Sequence, residues 1–290
     1  MVATIGMFDG VHLGHQFVLR HVVEQAQTLG VPSLCITFDQ SPRQEQVLTP
    51  LDEKVRLIRE TGIDYVEVLP FTDQLKNMTA RQFMAHVLKE RYGVTTLLTG
   101  YDNRFGHNRE EGFDDYVNYG VELGINVFAL PVLRSGMLKV GCEELTVSSS
   151  HIRQQLLQGN VDGAAQCLGR YYRLTGRVVH GEHVGTQLGF PTANVQPDDQ
   201  RQLIPAAGVY AVRIDCYDGM MNIGTRPTFG HHSQTLEVHL LNYDGNLYGQ
   251  PLTIDFVCRL REEMCFDSPE ALVAQLKEDE RKVEELRVKN

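Results

Sequence analysis

Residues 4–16 read TIGMFDGVHLGHQ. A short apolar run closes at Gly6. "GHQFVLRHVVEQAQTLG" then carries Val18, Val22, Ala26 and Leu29 on one helical stripe and stops at Gly30. The stretch is therefore read as a strand handing over to a helix. In an open α/β sheet such a turn lies at the carboxyl edge, where ligands bind. A helix start offers unpaired N–H groups and the positive end of the dipole, so it suits an anion. Gly10 and Gly14 let backbone approach a ligand closely. His12 and His15 share one face of the first turn, so both can reach one phosphate group and donate to charge on its oxygens. Two capping or core histidines would be the plainer account of a bare H-x-G-H. The F-D-G directly after a strand argues for the anion site.

The rhythm of the stretch continues outward. "SLCITFD", "YVEVLPF", "TTLLTG" and "NVFALPV" read as further strands, and "DEKVRLIRETG" and "TARQFMAHVLKERYG" as helices closed by glycine, the second capped by Thr79. Strands separated by helices of this length predict a parallel sheet with right-handed crossovers. No G-x-G-x-x-G fingerprint is present, which argues against an ordinary dinucleotide-binding domain.

The pattern changes after Gly169. From Arg173 to Arg261 the segments are short, rich in Val, Thr and Tyr, and separated by turn signals. "IDCYDGMMNIG" and "LLNYDGNLYG" each place Asp-Gly between apolar runs, the cue for a hairpin. This half reads as a small antiparallel β-barrel. "SPEALVAQLKEDERKVEELRVKN" closes the chain as a helix with Ser268 as cap and Pro269 in its first turn. The expected division is 1–168 and 169–290.

Composition narrows the function classes. The chain has 290 residues and a formal charge of −10, with 27 basic against 37 acidic residues and no basic block, so a nucleic-acid partner is not expected. An acidic balance leaves room for a small anion held by a local nest of N–H groups. No apolar run approaches the ~20 residues of a membrane helix, and no secretory signal pattern is visible. The six cysteines are scattered without a C-x-x-C pair, as in a reduced, cytoplasmic protein.

With these residues in view, "GMFDGVHLGH" resembles the H-x-G-H signature of the nucleotidyltransferase superfamily, and its F-D-G-V-H-x-G-H form is similar to bacterial bifunctional riboflavin kinase/FAD synthetase. "TFDQSPRQ", "TGYDNRFG" and "SSSHIR" look like three further blocks of that family, and "GTQLGFPTANV" like its kinase P-T-A-N signature. The resemblance implies a nucleotidyltransferase-type parallel-sheet domain followed by a kinase barrel. It implies ATP binding by Gly6, Phe8, His12 and His15, with Ser148, Ser149 and Arg153 at another helix start, and flavin contacts from Asp102 and Arg104. It implies in-line attack of the FMN phosphate on the α-phosphorus of ATP, expelling pyrophosphate, with no covalent enzyme intermediate. Asn103 and Ser150 depart from the usual phenylalanine and threonine of these blocks.

In the second half, Thr192 and Asn194 project at alternate positions of an extended segment fixed by Pro191. A hydroxyl and an amide oxygen are hard ligands suited to Mg²⁺ and phosphate oxygens. Alternation in "TLEVHLLNYDG" sets Thr235, Glu237 and His239 on one face. The resemblance makes Thr192, Asn194 and Gly185 the ATP and Mg²⁺ site, Glu237 the base for the riboflavin 5′-hydroxyl, and Arg261 and Phe266 flavin contacts. Thr186, Met264 and Cys265 stand where basic residues are common, which motivates an alternative: an FMN adenylyltransferase with a degenerate flavin-binding barrel. The leading expectation is an enzyme that converts riboflavin to FMN and FMN to FAD with ATP and Mg²⁺. Other H-x-G-H transferases need no such barrel, and a non-catalytic flavin carrier would not turn over pyrophosphate.

Overall fold

The computed structural model describes residues 1–40, 46–100, 103–131, 147–180, 190–228 and 231–288. Packing divides the chain into two units, Met1–Ser149 and Ser150–Asn290. The division falls earlier than the expected 168/169 because the helix Val161–Leu168 packs on barrel strands of the second unit.

In the first unit, strands β1 (Val2–Ile5), β2 (Ser33–Phe38), β3 (Tyr65–Leu69), β4 (Thr96–Gly100) and β5 (Asn126–Leu130) form one parallel sheet in the order β3-β2-β1-β4-β5. Helices cover both faces. Ala3, Ile5, Ile36 and Leu97 pack with Phe83, Met84, Leu88 and Tyr116 on one side. Val2, Cys35 and Leu98 pack with Leu19, Val22, Ala26, Leu57 and Ile58 on the other. This is why every residue of β1 and β2 is buried, as in a two-faced parallel sheet.

The helix α1 (Leu13–Leu29) starts and stops where the sequence indicates, with Gly30 in the left-handed region at φ 64°. Its buried stripe is Leu19, Val22 and Ala26, which keeps the middle of the expected stripe but replaces Val18 with Leu19 and leaves Leu29 exposed. Thr79 caps the next long helix through a reciprocal capping box with Gln82, and Phe83–Arg91 then winds with π-type spacing. Strand order reverses at β1: β2 follows it on one side and β4 lies on the other. The turn after β1 therefore opens at the switch point of the sheet, where ligands of such sheets bind.

The second unit is a closed antiparallel barrel. Its strands are β6 (Tyr172–Val179), β7 (Ala193–Pro197), β8 (Gly208–Ile214), β9 (Tyr217–Thr228), β10 (His231–Leu240) and β11 (Pro251–Arg261), in the order β10-β7-β6-β11-β8-β9. The closing helix, Pro269–Val288, lies on the outside, where Val273, Leu276, Val283 and Leu286 meet Val209, Ala211 and Met220. Ser268 caps it by accepting from the Ala271 N–H at 3.2 Å.

The two Asp-Gly cues fail as hairpin turns. β8 and β9 do form a hairpin, but it turns at Asp215–Cys216, with Asp215 at φ 52°, while Asp218 and Gly219 lie inside β9. Asp218 is held in the ladder opposite Arg213, which it meets as an ion pair at 3.2 Å. Asp244–Gly245 joins β10 to β11, which are not neighbours in the barrel.

Candidate functional site

The turn Gly6–His12 after β1 has an unusual backbone. Phe8, Gly10 and Val11 all have positive φ, at 49°, 86° and 37°. For a β-branched valine this is a strained conformation, of the kind that accumulates at ligand sites. The surroundings hold it. The Asp9 carboxylate accepts from the N–H groups of Leu48, at 3.0 and 3.1 Å, and Thr49, at 3.2 Å. Ser149 Oγ donates to the Asp9 carbonyl at 2.8 Å, and Gln16 Nε2 donates to the Val11 carbonyl at 3.0 Å.

His12 is the N-cap of α1: its Nδ1 accepts from the His15 N–H at 3.2 Å. An accepting Nδ1 carries no proton, so in neutral His12 the donor is Nε2–H. The two imidazoles stack with centroids 3.6 Å apart and planes at 17°, and Phe8 meets His15 edge-on at 5.2 Å. Gly14 keeps this stack possible, because a Cβ there would lie 3.2 Å from the His12 ring. The expected pairing of the two rings at one helix start is thus present.

Other expected residues take more specific positions. The Phe8 side chain is buried in the core, so only its main chain is available to a ligand. Gly6 donates its N–H to the Ile36 carbonyl at 3.1 Å. The Ser149 hydroxyl proton is used on Asp9, so this side chain holds the loop rather than donating to an anion. Ser148 and Arg153 are half-buried, at the start and one turn into the helix Ser149–Leu157. Asn103 Nδ2 donates to the Ile5 carbonyl at the end of β1, and Arg104 beside it is exposed. Asp102, Gly185 and Thr186 lie outside the described residues.

One site residue escaped the sequence reading. Lys54, on the helix Leu51–Arg59, is buried beneath the turn and donates to the carbonyls of Phe38 and Met7. Burial pulls its pKa below the ordinary lysine value, with Asp9 foremost among the groups that oppose the shift. The signal available was its spacing: Lys54, Leu57 and Ile58 share one buried stripe, where a solvated lysine does not belong.

In the barrel, strand register assembles the second constellation. Glu237 of β10 pairs with Asn194 of β7 on one side and with Asn222 of β9 on the other. Paired residues of antiparallel strands project to one face, so the carboxylate stands between two amides. The alternation is as expected: Leu236, Val238 and Leu240 are buried, while Thr235, Glu237 and His239 are half-buried. Thr235 Oγ1 and Glu263 Oε1 crowd the same face, each 2.9 Å from where a Cβ on Gly224 would sit. His239 Nδ1 donates to the Pro191 carbonyl at 2.8 Å, which fixes the start of the P-T-A-N segment. Asn222 had no part in the sequence reading, since only the register shows it.

Arg261 is more committed than expected. Its Nε donates to Asp279 Oδ2 at 2.8 Å and its Nη1 to the Glu262 carbonyl at 3.1 Å, with the guanidinium 5.8 Å from the Phe266 ring centroid. An open groove of about 560 Å³ along the helix Leu51–Arg59, lined by Leu51, Val55, Arg56, Arg59 and Val68, includes none of these site residues.

Comparison with known proteins assigns a family profile to each half. The profile described as FAD synthetase matches residues 1–144, and the one described as riboflavin kinase matches residues 168–287. The bifunctional riboflavin kinase/FMN adenylyltransferase of Pseudomonas fluorescens is 39% identical over 289 residues, covering 96% of this chain and 90% of that protein. The protein of the same name from Escherichia coli K12 is 36% identical over 291 residues, with the same coverage of 96% and 90%. Among solved structures, one titled a macrolide-efflux protein from Streptococcus pneumoniae superposes with a TM-score of 0.88 at 30% identity, over 98% of this chain and 93% of that one. Among the described residues of this chain, no helix is long and apolar enough to cross a membrane.

Proposed function

The chain belongs to the family of bifunctional riboflavin kinase/FMN adenylyltransferases, and from that premise we infer that it carries two ATP-dependent transferase sites, one in each unit. It phosphorylates riboflavin to FMN and adenylylates FMN to FAD, releasing pyrophosphate. We assign the adenylyl transfer to the first unit, within the sequence division 1–168, and the phosphorylation to the barrel, within 169–290. The observation that carries the reading is that the two family profiles fall one on each unit. It disfavours the alternative of a degenerate barrel, as does the Glu237–Asn194 pair.

For adenylyl transfer, the turn Gly6–Val11 and the start of α1 are assigned to the ATP phosphates. His12, through Nε2–H, and His15 stabilise negative charge as pyrophosphate leaves. Neither needs to act as a base, because a phosphate nucleophile is already ionised near neutral pH. Ser148, Arg153, Asp102 and Arg104 are assigned to the phosphates and the flavin on the family pattern. The work of this site is positioning and charge stabilisation.

For riboflavin phosphorylation, Glu237 takes the proton of the attacking hydroxyl. Asn194 and Asn222 flank it across the ladder. Arg261 and Phe266 are assigned to the flavin, with Arg261 shaping the segment through Asp279. The Thr192 hydroxyl and the Asn194 amide oxygen fit Mg²⁺, a hard cation that takes few protein ligands and keeps substrate phosphates and water as the rest. Bound there, Mg²⁺ would neutralise phosphate charge. The five described cysteines are free thiols, which fits a cytoplasmic enzyme.

The test is incubation of the pure protein with riboflavin, ATP and Mg²⁺, followed by chromatography. FMN and then FAD must accumulate through many turnovers. FAD made only from supplied FMN would leave the degenerate-barrel reading, and stoichiometric binding without pyrophosphate release would leave a carrier.

A further inference from the structure

Lys54 joins the carboxyl ends of two central strands from beneath the phosphate turn. It is 5% exposed. Its Nζ donates to the Phe38 carbonyl, the last residue of β2, at 2.8 Å, and to the Met7 carbonyl, just past β1, at 3.3 Å. Thr37 Oγ1 donates to the same Met7 carbonyl at 3.1 Å. The charged and titratable groups that act on the ammonium are Asp9, Cys35 and Asp39. Both carboxylates are themselves fixed: Asp9 accepts from Leu48 and Thr49, and Asp39 Oδ1 accepts from the Phe71 N–H at 2.9 Å.

Two donors on one carbonyl fix the orientation of a whole peptide unit. The chain has no cis peptide bonds among the described residues, so the Met7–Phe8 unit is trans and its C=O and N–H point in opposite directions. With the Met7 oxygen turned toward Lys54 and Thr37, the Phe8 N–H is turned away from both. The next residue opposes this arrangement. Phe8 sits at φ 49°, which an aromatic residue disfavours. Rotating the Met7–Phe8 unit by half a turn would carry Phe8 back to an ordinary extended φ. It would also point the N–H down at Lys54 and the carbonyl oxygen at the ligand side. The flipped loop would then present a partial negative charge where the reaction needs a donor.

We propose that Lys54 is a positioning residue for adenylyl transfer: with Thr37 it prevents the Met7–Phe8 peptide from flipping, so that the Phe8 N–H faces the phosphates of ATP. The proposal rests on reading the first unit as the adenylyl-transfer site. It assigns Lys54 to ATP handling and not to the flavin.

Full-length Lys54→Met, Lys54→Arg and Thr37→Val variants test it, each assayed for FMN adenylylation and for riboflavin phosphorylation. Lys54→Met is expected to lower kcat/KM for ATP in adenylylation by about 10²-fold, the scale for losing one preorganised donor. KM for FMN and the rate of riboflavin phosphorylation are expected to stay within about twofold. Lys54→Arg, which keeps charge and donors, is expected to recover most of the loss. Thr37→Val removes the weaker clamp and is expected to raise KM for ATP by about threefold to tenfold. A soluble Lys54→Met protein with wild-type ATP kinetics, or equal increases in KM for ATP and FMN, would overturn the proposal. If Lys54→Met does not fold, Thr37→Val decides, and unchanged ATP kinetics there overturn it. A wild-type protein that makes no FAD from FMN sinks the functional reading itself, before any variant is compared.

Discussion

Glu237 stands directly opposite Asn194 in the β10–β7 ladder. Two residues that are 43 apart in sequence (237 − 194) therefore share one face, which brings the P-T-A-N segment and the carboxylate together on the barrel. Glu237→Gln keeps the size and shape of the side chain and removes the base. Riboflavin phosphorylation is expected to fall by about 10²–10⁴-fold, the usual contribution of a positioned base. Conversion of supplied FMN to FAD is expected to stay unchanged. Separate assays of the two reactions on one preparation check this, and survival of phosphorylation would reassign the base.

His12 has two separable duties. Its Nδ1 caps α1, and its Nε2–H is the donor we assign to the ATP phosphates. His12→Ala loses both, so it should lose about 1 kcal/mol of stability along with adenylylation. His12→Asn keeps an N-cap acceptor. It is therefore expected to unfold at the wild-type denaturant concentration and still lose adenylylation by about 10²-fold. Denaturant titration beside the rate separates the roles. If His12→Asn retains its rate, the ring serves only as a cap.

Much of this architecture was legible from local pattern. The alternation of apolar runs with helical stripes specified the parallel sheet, and H-x-G-H after a strand pointed to the turn at its carboxyl edge. What escaped the sequence was tertiary. "YDG" at 217–219 carries the chemistry of a turn, yet Asp218 is kept in β9 by Arg213 across the ladder. Gly219 serves close approach instead, since a Cβ there would lie 2.6 Å from the His239 carbonyl. Lys54 looks like one of several charges on an amphipathic helix until the ends of β1 and β2 arrive beside it. Asn222 comes to stand beside Glu237 only through a register that its own strand does not encode.

The Arg261–Asp279 pair ties the closing helix to β11. Asp279 is fully buried, and Gln275 Nε2 also donates to it at 2.9 Å. Removing one partner of a buried pair leaves the other charge uncompensated, at a cost of about 3–5 kcal/mol. Asp279→Ala is thus expected to lower the unfolding midpoint of the second unit and to raise KM for riboflavin, with adenylylation retained at low temperature. Arg261→Met with Asp279→Leu is expected to restore most of the stability, because apolar replacements remove both charges together. If that double variant also restores the wild-type KM for riboflavin, Arg261 serves only to anchor the helix.

Asp64 predicts an acid-side response of the first unit. Its Oδ2 accepts from the N–H of Ser33 at 2.8 Å and from the Ser33 hydroxyl at 2.7 Å, at the start of β2. The hydrogen bond from the Ser33 backbone, followed by that from its side chain, holds the Asp64 pKa below the ordinary aspartate value. The folded state therefore binds fewer protons than the unfolded chain in that interval, and stability rises with pH there. The contribution is fully present above the unfolded value of about 3.9 and is lost as pH falls through the lowered folded value. Because Asp64 is exposed, solvent screening limits the effect to about 1 kcal/mol or less. Asp64→Asn removes the titration. At neutral pH it should be slightly less stable than wild type, and its stability should decline less steeply on acidification below about pH 4. Urea unfolding of both proteins at several pH values measures the difference, and parallel stability curves would show that Asp64 contributes nothing to the acid transition.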